Sequence, residues 1–242
     1  MKKAQKQINV FHFSAGKSSA KMVIDNYRDG DLVIFCDTTR EHPKTYKFLN
    51  DFEANEGIPV IRLTHEGGWK GMLKKMNGIP NRYRRRCTLE MKIRLARRYL
   101  RKLKINTYTQ FIGFRSDEKQ RVKDYKTRWK TVSTRFPLNE SEQTKQLINQ
   151  YWSKKNYNLE IPPILGNCTL CFMKGEDKII AILTNFPEMA NDWISDEKEM
   201  GYTYIKDKPM EQLKNIALEF ILKGKVFDLD NLEPKFNCSC TS

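Results

Sequence analysis

The order of its apolar runs is what most limits the fold of this chain. Residues 8–13, Ile-Asn-Val-Phe-His-Phe, form a short β-branched and aromatic run. It stops at Ser14-Ala15-Gly16, and Ala20, Met22, Val23 and Ile24 then follow at helical spacing. A second such unit starts at Asp31-Leu32-Val33-Ile34-Phe35-Cys36, turns at Asp37-Thr38-Thr39, and enters a helix at Pro43 that runs to about Glu56. Proline suits a first helical position because its missing N–H has no intrahelical acceptor there. A third strand is expected over Ile58–Leu63. Strands alternating with helices at this spacing predict right-handed β-α-β units, so the fold class is α/β with a mainly parallel sheet flanked by helices.

Further along, Leu89, Ile93, Ala96, Leu100 and Leu103 recur at spacings of four and three, with Arg94, Arg97, Arg98, Arg101 and Lys102 mostly off that stripe. This predicts an amphipathic helix with a basic face. Tyr108–Phe114 reads as another strand, leading into the charged segment from Arg115. Ligands of open α/β sheets bind at loops after strand ends. After Pro137 a helix is expected around Gln143–Lys154, and Pro162-Pro163 and Gly166 break the pattern before residues 176–222, which read as largely helical. The expected division is a nucleotide-binding α/β domain, 1–135, with a helical, metal-bearing C-terminal lobe, 136–242, packed on it.

Neither a secretory signal pattern nor eighteen consecutive apolar residues occurs, so a soluble, cytoplasmic protein without a membrane partner is expected. The 44 Lys and Arg against 29 Asp and Glu leave a formal charge of +15, a field that attracts polyanions. Nucleic acid is one expected partner; small anionic nucleotides alone are the other.

Ser14-Ala15-Gly16-Lys17-Ser18-Ser19 lies between a predicted strand and a predicted helix. Backbone N–H groups, the positive helix N-terminus and Lys17 can converge there on phosphate. Gly16-Lys17-Ser18 matches the end of a Walker A loop, but that motif needs a glycine five residues before Gly16, where Phe11 stands.

The chain has six cysteines: Cys36, Cys87, Cys168, Cys171, Cys238 and Cys240. Cys36 ends an apolar strand and reads as core. Cys168 and Cys171 form a C-x-x-C pair behind Gly166-Asn167, a turn that presents two thiolates to one metal. Cys87 follows Arg82-Tyr83-Arg84-Arg85-Arg86, whose charge favours its thiolate. The tail supplies a fourth ligand, with Cys240 preferred over Cys238. An iron–sulfur cluster, a tetrahedral zinc, and metal-free redox thiols are the three uses of such a set.

Four segments in order carry a family resemblance. Ser14–Ser19 resembles the SGGKDS or SGGRTS PP-loop of the adenine nucleotide α-hydrolase superfamily of ATP pyrophosphatases. Phe35–Tyr46 resembles that family's F-x-D-T-G-x-E-x-P-x-T-Y, and Phe111–Arg121 its G-I-R-x-D-E-x-x-R. Gly166–Lys174 resembles the G-N-C-x-x-C-F-x-K of the phosphoadenosine phosphosulfate (PAPS) reductase-like branch. The chain departs from the pattern where Ser18 replaces the usual aspartate and Thr39 the glycine of D-T-G.

The resemblance implies ATP or a related adenine nucleotide over the strand ends. Ser14, Gly16, Lys17, Ser18 and Ser19 would surround phosphates, and Asp37 and Thr38 would lie near the nucleoside or Mg²⁺. Arg115 and Arg121 suit a second anion, since guanidinium forks pair with phosphate or sulfate. Lys17, Asp37 and Arg115 are the expected catalytic residues. The resemblance also implies a [4Fe–4S] cluster, with Zn²⁺ as the alternative, on Cys87, Cys168, Cys171 and Cys240. The reaction expected is sulfur-related modification of nucleic acid, with a partner protein as a candidate sulfur donor. Its alternatives are reduction of PAPS and a non-catalytic, nucleotide-sensing protein that binds nucleic acid or acts as an adaptor. Basic segments around Arg84–Arg86, Arg94–Lys102 and Lys123–Lys130, with Tyr125 and Trp129 interleaved, are expected to hold the nucleic acid.

Overall fold

The computed structural model describes residues 8–166 and 168–229. Its centre is a wholly parallel five-stranded sheet in the order β3-β2-β1-β4-β5. The first β-α turn behaves as the apolar runs require: β1, Asn9–Phe13, leads into α1, Lys17–Asn26. Strand β2, Leu32–Asp37, then feeds α2, Pro43–Glu56. At its start the His42 ring accepts a hydrogen bond from the Lys44 amide at 3.1 Å, and Pro43 takes the first helical position. It stops at Gly57, whose φ of +66° places it in the left-handed region that glycine enters without a Cβ penalty.

The third strand, β3, spans Ile61–Thr64, later than expected from Ile58, because Pro59 withholds a ladder N–H. Helix α3, Gly68–Met76, follows. The expected helix over Leu89–Leu103 opens as a π-helical turn, Thr88–Ile93, before α4, Arg94–Lys102. The wider turn puts Glu90, Met91 and Lys92 inside and leaves Leu89 and Ile93 half-buried; Ala96 and Leu100 are buried as the stripe requires, and Leu103, past the end of α4, is exposed. Strand β4, Tyr108–Ile112, precedes the short helix α5, Lys119–Asp124, and the edge strand β5, Val132–Arg135. Beyond the sheet come α6, Pro137–Glu140; α7, Lys145–Trp152; α8, Glu176–Asn185; α9, Asn191–Met200; and α10, Met210–Leu222.

Alternating side chains divide the sheet between two apolar layers, as the pleat demands. Phe11, Phe13, Phe35 and Phe111 pack with α1 and α2, and Trp152 of α7 joins them. Val10, Ile34, Tyr108 and Val132 pack on α4 through Ala96 and Leu100. A third cluster joins Trp69, Met72 and Cys87 to Leu170, Phe172 and the helices α8–α10. Apolar packing thus crosses residue 135 in the first and third of these clusters. Phe11 is fully buried and stacks on Phe111 at 4.5 Å; truncating such a ring to alanine costs about 3–5 kcal/mol.

The strand order reverses at β1: its neighbour on one side is β2, reached next in sequence, and on the other β4. The loops after β1 and β4 therefore diverge and leave a crevice at the carboxyl edge, the place where open α/β sheets take ligands.

Candidate functional site

A cavity of about 260 Å³ occupies that crevice, lined by His12, Ser14, Gly16–Ser19, Gly113, Arg115, Glu118, Arg121, Lys145 and, across from them, Pro162–Ile164, Gly166 and Lys174. The structure thus brings together every residue of the first loop singled out from the sequence, with Arg115 from the segment after β4 and Arg121 from α5. Asp37 and Thr38 do not line it; they stand at the end of β2.

The loop is held from inside. The Ser19 hydroxyl accepts hydrogen bonds from the Ser14 and Gly16 amides at 3.2 and 3.3 Å and donates to the Gly16 carbonyl at 3.0 Å. Trp152 donates its indole N–H to the Lys17 carbonyl at 2.9 Å. Ala15, at φ +53°, occupies a left-handed position where the PP-loop pattern has glycine. Gly113 lets the end of β4 approach this loop: a Cβ there would lie 3.2 Å from Ser19 Cα. Burial pushes the Lys17 ammonium below the ordinary lysine range, because desolvation disfavours its charge. An anion beside it would oppose that shift.

Glu118, buried among cations, organises the arginines. Its Oε2 accepts the Arg115 amide at 3.0 Å, and its Oε1 pairs with the Arg121 guanidinium. Arg115 Nη1 in turn donates to Ser18 Oγ at 3.3 Å. The serine that replaces the usual aspartate of the loop is thus next to a guanidinium. Sequence reasoning gives Glu118 and Lys174 no role, although both lie inside the motifs that carry the resemblance. His12 borders the cavity, hydrogen-bonds Gln110 Oε1 at 3.2 Å, and is lowered by desolvation to a pKa of about 4, so it is neutral at neutral pH.

At β2, Asp37 Oδ1 accepts from the Thr39 amide at 2.6 Å and from the Tyr46 hydroxyl at 2.8 Å. Thr39 sits at φ +57°, a position costly for a β-branched residue. Its hydroxyl accepts the Trp69 amide at 3.0 Å, an orphan donor of the first turn of α3, which accounts for a threonine where the family pattern has glycine. Next to it, Thr38 donates to Glu41 Oε1 at 2.8 Å and lies 3.8 Å from Cys168 Sγ. The cysteine turn docks on this loop through a Glu41–Cys168 bridge and the Thr169 amide to the Arg40 carbonyl at 3.3 Å. Lys174 Nζ donates to the Cys168 carbonyl at 2.7 Å, tying the same turn to the cavity.

Cys87, Cys168 and Cys171 are buried and not disulfide-bonded. Among the described residues no group of three or more His, Cys, Asp or Glu is arranged to hold a metal ion. Cys168 and Cys171 fit as soft donors on a built turn, but the described residues do not complete a thiolate set with Cys87. Cys238 and Cys240, like Asn167 of the turn, lie outside the described residues. Cys36 behaves as the core residue expected: its thiol points to the Lys92 carbonyl at 3.7 Å, and burial raises its pKa to about 12.

The expected aromatic surface around Lys123–Lys130 is not available as such. Tyr125 packs edge-on against Phe114 and Phe136, and Trp129 lies under the Arg97 guanidinium. Among the described residues no helix is long and apolar enough to cross a membrane.

A parallel α/β protein with a glycine- and serine-bearing turn over a cationic crevice at its switch point is thereby defined. The chain belongs to the phosphoadenosine phosphosulfate reductase domain family, whose model matches residues 8–165. The match ends just before the cysteine turn. Over 204 residues, 71% of this chain and 68% of the relative, it is 29% identical to the uncharacterized nin region protein ORF290 of Escherichia phage lambda. It is also 33% identical over 110 residues to an uncharacterized protein of Methanocaldococcus jannaschii, covering 44% of this chain and 22% of that one. Among solved structures it is similar to a PAPS reductase from Candida auris in a phosphate complex, at 14% identity and a TM-score of 0.44, covering 64% of this chain and 76% of that one.

Proposed function

We propose that this protein binds ATP or a related adenine nucleotide in the crevice between the loops after β1 and β4 and uses it in sulfur-related modification of nucleic acid. The observation that carries the reading is the convergence of Lys17, Arg115, Arg121 and Lys174 on one cavity closed by the Ser14–Ser19 turn. In this reading the turn and Lys17 hold the phosphates, and Arg115, oriented by Glu118 and next to Ser18, neutralises charge that builds on phosphorus. An acceptor oxygen attacks the α-phosphorus, the bond to the β-phosphate oxygen breaks, and pyrophosphate leaves with its electron pair. Asp37, aimed by Tyr46 and the Thr39 amide, is the proposed magnesium ligand, with Thr38 next to it.

Cys168 and Cys171, with Cys87 and Cys240, are the proposed ligands of a [4Fe–4S] cluster, zinc being the alternative. Such a cluster would supply or remove sulfur. The domain division at about residue 135, the cytoplasmic setting and a partner protein as sulfur donor belong to the same proposal.

A second reading, reduction of PAPS to sulfite by a thiol donor, is favoured by the several cations of the one cavity, Lys17, Arg115, Arg121 and Lys174, which suit a nucleotide with more than one anionic arm. The tail Cys238-Ser239-Cys240-Thr241 departs from the E-C-G-x-H context in which that branch carries its catalytic cysteine. The two are separated by products: pyrophosphate from ATP with tRNA or DNA present, or sulfite from PAPS with a thiol. Lys17→Ala should abolish whichever product forms. Nucleotide binding with neither product would make the protein a sensor and refute the catalytic proposal.

A further inference from the structure

A second cavity, of about 810 Å³, borders the same cysteine segment through Phe172, Gly175 and Glu176, whereas the first cavity borders it through Gly166 and Lys174. The second is walled by the segment that precedes Cys87 and by Tyr202–Lys206. Lys75, Arg82, Arg84, Arg86 and Lys206 supply its cations. Its two acids are already engaged: Glu90 pairs with Arg94 and lies 3.8 Å from Arg86, and Glu176 is 2.7 Å from Lys208. The field inside is therefore positive.

The wall is also built rather than slack. Asn81 Oδ1 accepts the amides of Tyr83 and Arg84 at 3.0 and 2.9 Å, and the Asn81 amide donates to the Arg84 carbonyl at 3.2 Å. This closed turn presents Tyr83 with 91% of its surface exposed, between arginines. Tyr202, 57% exposed, lies over Gly78 at the other rim. A solvated aromatic ring carried on a hydrogen-bonded turn and flanked by cations does nothing for the core; it matches a π-face joined to phosphates.

We infer that this second cavity binds a single-stranded polynucleotide, stacking a base on Tyr83 and taking phosphates on Arg84 and Lys206. Stacking on an exposed ring requires an unpaired base, and a concave site next to a flat duplex would leave that ring unused. The inference rests on the nucleic-acid acceptor of the proposed function and gives it a place beside the cysteine turn, next to the nucleotide cavity.

The test is fluorescence anisotropy of labelled single-stranded RNA and DNA oligonucleotides, with a duplex of the same sequence and polyglutamate as competitors. Single strands should bind more tightly than the duplex, and the RNA and DNA arms report which sugar is preferred. Tyr83→Ala should weaken binding about tenfold. Arg84→Ala with Lys206→Ala should lower the slope of log affinity against log salt by about 0.7 for each phosphate no longer neutralised. These side chains are exposed, so unchanged thermal melts are expected of the variants. Equal binding by wild type and both variants, equal binding of duplex, or displacement by polyglutamate as efficient as by oligonucleotide would overturn the inference, the last in favour of an acidic protein partner. Lys17→Ala should keep oligonucleotide binding. If ATP fails to bind the wild type while these effects hold, the nucleotide proposal fails and the second cavity stands.

Discussion

Arg40 lies within the loop that carries both Asp37 and the docking contacts of the cysteine turn, and it is almost wholly buried. Its Nη2 is 2.7 Å from Asp196, a fully buried carboxylate of α9, and its Nη1 pairs with the exposed Asp192. Tyr204 donates to the same Asp196 oxygen at 3.0 Å, and Trp69 to the Tyr204 hydroxyl at 3.1 Å. The guanidinium stands 5.9 Å from the rings of both Trp69 and Trp193. Arg40 Nε and Asp196 Oδ1 are already without hydrogen-bond partners among the described residues, so the network has nothing spare to compensate a loss.

Arg40→Met keeps most of the volume but strands the Asp196 charge. Breaking a buried pair on one side costs about 3–5 kcal/mol. In a chain of this size each kcal/mol moves the melting temperature by about 2–4 °C, so a fall of roughly 6–20 °C is expected. The loss should also depend on pH. Burial already pushes the Asp196 carboxyl above the ordinary range, with Arg40 opposing it. Without Arg40 the carboxyl rises further, so the folded state holds a proton that the unfolded state has released. Stability of the variant then falls as pH rises from the ordinary carboxylate range through that raised value, and the deficit against wild type grows from acid to neutral pH. Urea unfolding across that range measures both effects, and Arg40→Met with Asp196→Leu should recover most of the deficit. A single variant within about 1 kcal/mol of wild type, or a deficit constant with pH, would refute the reasoning, since surface pairs give that little.

Gly113→Ala should cost about 1–3 kcal/mol, because the new Cβ meets Ser19 backbone at 3.2 Å, and should weaken nucleotide binding more than a comparable change elsewhere in β4; unfolding curves and titrations check both. Wild-type stability should decline as pH falls from 6.5 toward 4, since His12 is held neutral to about 4; the loss is up to roughly 3 kcal/mol, and His12→Gln should flatten it. After anaerobic purification the protein should contain about four irons per chain, or one zinc in the alternative, and Cys171→Ser should lower that content; a metal-free wild type, or an unaffected variant, contradicts the thiolate proposal.

Much of the fold was legible because β-branched and aromatic runs alternate cleanly with helical stripes, from β1 through α2 and again at β4. Where legibility failed, a local signal was overridden or weak. Pro59 delayed β3, the π-helical turn at Thr88–Ile93 put Glu90, Met91 and Lys92 inside in place of Leu89 and Ile93, α4 ended before the exposed Leu103, and β5 has one buried side chain among Val-Ser-Thr-Arg. In the site, the loop residues and both arginines were readable from their motifs and do share a cavity. Glu118, which joins the arginines, and Lys174, which joins the cysteine turn to that cavity, were not, because a buried carboxylate between two cations and a lysine on a carbonyl are facts of packing. Asp37, expected near the nucleoside or Mg²⁺, stands at the β2 end outside the cavity lining, held by Tyr46 and Thr39.

The central claim is that the turn after β1 holds nucleotide phosphates. Isothermal titration of ATP and of PAPS into the full chain tests it most directly, alongside Lys17→Ala and Arg115→Ala. One nucleotide per chain is expected, with at least about tenfold weaker binding in each variant, since a charge-assisted hydrogen bond is worth about 1.5–3 kcal/mol. No heat from either nucleotide, or wild-type affinity in Lys17→Ala, would contradict it.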